Sequence, residues 1–174
     1  EVSSDLYGVF IHNKNDVVSL LALFVKELRI IESIMKNDNQ FIERFNSASI
    51  SDILVKNSYY DKAMDLLSLH KDEPEPLKKL CVLNKSRKNY KKALELFIEF
   101  SKKTSDALEY TYACTEIAKI FEHRFKDFDR AIHFTENAME RIERSSHLYP
   151  ESILTYKRNM ALLNKRFLRL KKRL

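Results

Sequence analysis

A chain of 174 residues can bury one sizeable core, either as one compact domain or as a short array of repeats sharing a continuous apolar interior. A single glycine (Gly8) and three prolines (Pro74, Pro76, Pro150) exclude a sheet protein, which needs turn residues at nearly every strand connection. The net charge of +6 is uneven: Glu151 to Leu174 holds eight Lys/Arg against one Glu, so a near-neutral body carries a basic C-terminal segment.

No apolar run reaches membrane-spanning length and the N-terminus lacks a signal-peptide pattern, so a cytoplasmic protein with no membrane contact is expected. Apolar spacing and stop signals predict helices near 13 to 36, 49 to 57, 60 to 70, 75 to 87, 90 to 103, 106 to 124, 127 to 144 and 150 to 173. In the first, Val17, Leu20, Phe24, Leu28, Ile31 and Met35 step by three or four. Ser49, Thr104 or Ser105, and the Tyr149-Pro150 step are candidate helix starts, and Lys71 to Pro76 is the clearest loop. Cys81 and Cys114 stand alone, each on the side of a helix read as buried, so no disulfide is expected. The last helix places Ile153, Tyr156, Met160, Leu163, Phe167, Leu170 and Leu174 on one heptad seam. That seam suits a cap over the preceding helices, with a homodimeric coiled coil as the competing reading.

Three tetrapeptides share one pattern: Tyr60-Asp-Lys-Ala63, Tyr90-Lys-Lys-Ala93 and Phe128-Asp-Arg-Ala131. Each follows a short polar stretch and opens an amphipathic helix. The aromatic wedges between two helices, and the alanine lets their backbones approach closely. A small partner is then required on the preceding helix, and Ser51, Cys81 and Ala118 stand twelve or thirteen residues upstream. With Phe97 and Ala138, this resembles the tetratricopeptide (TPR) repeat over residues 47 to 145, although the signature tryptophan and glycine are absent. The resemblance implies an all-α, TPR-like α-α superhelix of about three helix pairs, with an N-terminal helix (residues 1 to 37) and a basic capping helix (146 to 174). An irregular helical bundle is the alternative.

The segment Phe10-Ile-His-Asn-Lys-Asn-Asp-Val-Val-Ser-Leu-Leu21 resembles the last motif of DEDD-type exonucleases of the ribonuclease-H-like fold. In that motif a helix presents an acidic metal ligand and, four residues earlier in one subgroup, a tyrosine. His12 and Asp16 hold those places, one turn apart on one face. A helix followed by repeats and a basic helix is similar to the bacterial YprB-type family, in which a nuclease domain precedes TPR repeats. The resemblance implies that Asp16 is one carboxylate of a two-metal (Mg or Mn) site that cleaves phosphodiesters 3'-5', with His12 beside it as a candidate catalytic base. One carboxylate cannot hold two divalent cations, so no cofactor is expected in this chain and it is expected to be inactive by itself. The bland alternative is an acidic residue in a first helical turn with His12 on a loop.

Away from the terminal seam, Lys157, Arg158, Lys165, Arg166, Arg169, Lys172 and Arg173 form a surface suited to phosphates, against the alternative of a solvated basic face. The histidines show no metal-ligand spacing, and a glycine-rich phosphate loop is excluded. Ala48 and Asp52 occupy the places where some TPR proteins clamp a peptide carboxylate, so that clamp is absent. Three functions are open: the protein-interaction part of a ribonuclease-H-like exonuclease, a free-standing TPR adaptor with a peptide in its groove, and a nucleic-acid-binding accessory protein using the terminal helix. None involves a small-molecule substrate.

Overall fold

The structure is a computed structural model and describes residues 2–36, 46–148 and 153–174. Among these it is all helical: α1 (Val2–Lys36), α2 (Ser47–Lys56), α3 (Tyr60–Leu69), α4 (Pro74–Ser86), α5 (Tyr90–Lys103), α6 (Ala107–Ile120), a π turn (Phe121–Phe125), α7 (Phe128–Leu148) and α8 (Ile153–Lys171). The chain divides into two units, residues 1–47 and 48–174.

Three expected helix starts differ from the observed ones. Helix α1 begins at Val2 rather than near residue 13, because His12-Asn-Lys-Asn-Asp16 is polar but holds no breaker, and Gly8 is carried inside the helix with open space around it. Ser49 is an interior residue of α2. The cap of α6 is Asp106, whose carboxylate accepts the Glu109 N–H at 2.8 Å, rather than Thr104 or Ser105. The Tyr149-Pro150 step lies outside the described residues.

In the second unit successive helices pack in order, α3 on α4, α4 on α5, α5 on α6, α6 on α7 and α7 on α8. Ala63, Cys81, Ala93, Phe97, Ala118, Ala131 and Ala138 are fully excluded from water, and Ser51 nearly so. The aromatics Tyr60, Tyr90 and Phe128 are half-buried at the turns. Two residues before each aromatic the backbone turns left-handed, at Ser58 (φ 66°), Lys88 (φ 64°) and Lys126 (φ 57°). After α2 and α4 the turn closes as a Schellman motif, Tyr59 N–H to Leu54 O at 2.8 Å and Asn89 N–H to Asn84 O at 2.9 Å.

Glycine favours such a position, and side chains there cost about 1 kcal/mol. Lys88→Gly is therefore expected to raise stability by about 0.5–1 kcal/mol and the melting temperature by a few degrees, read by circular dichroism.

Ala118 stands thirteen residues before Ala131, one more than separates Ser51 from Ala63 or Cys81 from Ala93, and the extra residue is absorbed inside the helix rather than in a longer loop. The π turn takes up the extra residue, and Asp127 N–H reaches back to Phe121 O at 3.1 Å, six residues away instead of five.

A second regularity recurs at these turns. A guanidinium lies over each turn aromatic: Arg87 over Tyr60 (4.8 Å), Arg124 over Tyr90 (4.4 Å) and Arg173 over Phe128 (5.9 Å). Arg173, just after α8, thus supplies to Phe128 what Arg87, capping α4, and Arg124 in the π turn supply to Tyr60 and Tyr90. Its seam is used for packing: Tyr156, Leu163 and Leu170 are buried, and Tyr156 and Leu163 join Cys114, Ala138 and Ile142 in one apolar cluster, with Met160 against it. Ile153 and Leu174, at the two ends, are exposed.

Candidate functional site

On α1, His12 and Asp16 lie one helical turn apart, with Nε2 and Oδ2 separated by 3.4 Å and both side chains well exposed (77% and 57%). His12 is helical rather than on a loop. Together they offer one imidazole nitrogen and one carboxylate. Among the described residues no group of three His, Cys, Asp or Glu side chains gathers to hold a metal. A pair of divalent cations needs several oxygen ligands, so the described residues do not fit such a centre.

The more developed constellation lies in the second unit. Glu122, in the π turn, is fully buried and collects three guanidinium groups from α8 and the residues after it. Arg166 donates to Oε2 at 2.9 Å, Arg169 donates to Oε1 and Oε2 at 2.9 and 2.8 Å, and Arg173 stands 3.8 Å from Oε1. Arg166 is itself largely buried (15% exposed), and that burial lowers its pKa, against the pull of Glu122. His123 lies 3.6 Å from the same carboxylate. Its pKa is lowered chiefly by burial, with Glu122 pulling upward and Arg166, Arg169 and Lys126 pushing down, so the ring is neutral at pH 7.

Similar pairs join alternate helices along the unit: Asp52 on α2 with Lys79 on α4, Lys78 on α4 with Glu109 on α6, and Lys85 on α4 with Glu116 on α6. Glu116 is nearly buried. Burial is the largest single influence on its pKa and acts upward, but Lys119 and Lys85 together outweigh it and hold the carboxyl below its usual range.

The seven cationic residues singled out among the eight of the terminal segment therefore do not act as one solvated face. Lys157, Arg158, Lys165 and Lys172 point to water, whereas Arg166, Arg169 and Arg173 turn inward to Glu122. Sequence periodicity missed Glu122 because an acidic residue late in an amphipathic helix reads as surface. The extra residue between Ala118 and Ala131 was the available signal, since an insertion inside a helix rotates the residues that follow it onto a new face.

Both cysteines are free, buried thiols, and burial pushes Cys81 up to about 12 and Cys114 to about 11. Tyr110 and Tyr112 are likewise raised, by burial first, to about 12. Groups whose pKa is higher folded than unfolded add stability below their unfolded values. Here that contribution is lost as pH rises from about 9 toward 12. Neither thiol is expected to react with an aromatic disulfide reagent at pH 8 until the protein is unfolded, and the melting temperature is expected to fall steadily above pH 9.

The described residues thus form an all-α protein whose second unit packs successive helices from α3 to α8, with small residues buried along them. No family model matches it. It is similar to the uncharacterized protein YprB of Bacillus subtilis (strain 168), being 24% identical over 139 residues, which cover 77% of this chain and 33% of the relative. The chain accordingly spans about a third of the length of the relative it matches. No helix among the described residues is long and apolar enough to cross a membrane.

Proposed function

We propose that this chain is a TPR-type interaction module forming the non-catalytic part of a larger YprB-type protein. The observation that carries the reading is the threefold repetition of one device: a left-handed residue, an aromatic two residues later under an arginine, and a buried alanine three residues after that. A single compact core has no reason to repeat its turn chemistry, whereas repeats stacked side by side must. The cap reading of α8 rests on the same device, because Arg173 completes the third instance.

The resemblance of residues 10 to 21 to a DEDD-type motif, and the similarity to YprB, support reading α1 as the end of a metal-dependent exonuclease domain. So does its surface. Phe10, Val17, Leu20, Leu23, Phe24 and Leu28 are all exposed, as are Val18 and Leu21, so apolar side chains spread over more than one face of α1. A helix with that distribution is a core helix awaiting its cover. Asp16 would then be one carboxylate of a centre whose other ligands lie in another domain.

Incubation of this chain with labelled single-stranded DNA or RNA and Mg or Mn tests the division of labour. No cleavage is expected. Metal-dependent cleavage that disappears in Asp16→Asn would overturn the assignment of a non-catalytic module.

A further inference from the structure

Two cavities open side by side on the second unit and share Lys119. One, of about 370 Å³, lies between α6 and α8 and is lined by Lys165, Arg166 and Arg169 with Thr115 and Asn159. The other, of about 450 Å³, runs from α4 to the π turn past Lys85, His123 and Arg124. Together they make a groove that runs from α4 and the start of α5 over α6 and the π turn to α8, with no carboxylate in its lining. Glu116 and Glu122, which pair with the cations, are buried. Glu116 holds Lys85 and Lys119, and Glu122 holds Arg166 and Arg169, while the groove lining itself presents positive charge.

We propose that this groove binds single-stranded nucleic acid, with Lys85, Lys119, Arg124, Lys165, Arg166 and Arg169 as the phosphate contacts. The inference deepens the reading of the chain as an interaction module, and rests on it, by naming the partner's chemistry. Six cations stand against two buried carboxylates, a surplus that suits a polyanion carrying one charge per unit. Guanidinium groups pre-ordered on Glu122 lose little freedom when a phosphate takes their remaining donors. The exposed His123 ring supplies a face on which a base stacks, beside the apolar shelf of Val82, Ile120 and Leu162, while Tyr90 lies under Arg124 and holds that guanidinium at the groove wall.

A peptide is less well served. Extended peptides are held by side-chain amides on the groove helices, but Asn84 and Asn159 donate back to their own helices, to Leu80 O and Thr155 O. The charged groups named from α8 alone are also too few: the groove takes half its cations from α4, α6 and the π turn.

The test is fluorescence anisotropy of the whole chain with labelled oligo-dT and oligo-U of about 20 nucleotides, and with labelled poly-glutamate, across roughly 50 to 200 mM salt. Binding to the oligonucleotides is expected, weakening with salt. In Lys119→Gln/Arg124→Gln/Lys165→Gln affinity should fall at least about tenfold, and the logarithmic salt slope should drop by about 2, since each phosphate contact on a single strand contributes roughly 0.7. The charge-matched set Lys91→Gln/Lys92→Gln/Lys102→Gln, on α5 outside the lining, should change affinity less than about twofold. Unchanged binding in the groove variant, equal loss in the α5 variant, a larger loss from Lys157→Gln/Arg158→Gln/Lys172→Gln, or tighter binding of poly-glutamate would each overturn the proposal. A chain that melts cooperatively as a helical protein yet binds no oligonucleotide defeats this inference alone. Loss of cooperative melting in the unmodified chain would instead defeat the module.

Discussion

Glu122→Ala is expected to lower the melting temperature by roughly 10 °C, a loss of about 3–5 kcal/mol. The reason is what remains rather than what is removed. Arg166 is 15% exposed and Glu122 is its partner at 2.9 Å, so the variant leaves a largely buried guanidinium without its hydrogen-bonded counter-charge, with Glu116 acting on it only through space. Arg169 and Arg173 are about half exposed and can turn to water, so Arg173→Met should cost less than about 1 kcal/mol. Replacing both buried partners, as Glu122→Leu/Arg166→Met, should restore most of the loss, because an apolar pair of similar volume needs no desolvated charge. Thermal melts of the four proteins check this. Equal melting temperatures for Glu122→Ala and the unmodified chain would show that α8 is not held through the π turn.

Phe97→Ala should be comparably damaging, by about 3–5 kcal/mol. Phe97 is completely buried on α5 and meets Tyr112 of α6 edge to face, with ring centroids 6.1 Å apart. The ring therefore lies where α5 packs on α6, and its removal leaves a cavity between those two helices. Chemical denaturation should show a lower midpoint. A separate early transition is expected too if the coupling between pairs falls below the intrinsic stability of the first one.

Helix number and most boundaries were legible in the sequence because apolar residues step by three and four and the few prolines and turn residues fall between them. The turns between α2 and α3 and between α4 and α5 were legible as places but not as conformations. Ser58 and Lys88 carry no glycine to announce a left-handed backbone, and the geometry is imposed by the helices they join. The arginine above each turn aromatic was missed for a similar reason, since Arg87 and Tyr60 are far apart in sequence and meet only when α4 packs on α3. For the candidate site, the concentration of cations in the terminal segment was legible, whereas the inward direction of Arg166, Arg169 and Arg173 was not. Amphipathic spacing assigns Arg166 and Arg169 to the side away from the seam, but it contains no term for the buried carboxylate that draws them in. The start of α1 was misplaced because polarity was read as a boundary where nothing sterically ends a helix.

The claim on which the rest depends is that the second unit is a stack of equivalent pairs rather than one irregular core. A chain carrying a second tandem copy of residues 70–103, inserted after Lys103, tests it directly. The inserted loop, α4 and α5 would repeat the existing junctions, so a stacked array predicts a monomer with more helix per chain and a melting temperature at least equal to that of the parent. An irregular bundle has one closed interior that cannot accept an extra pair. Loss of cooperative melting, or aggregation of the duplicated chain under conditions in which the parent stays folded, would contradict the account.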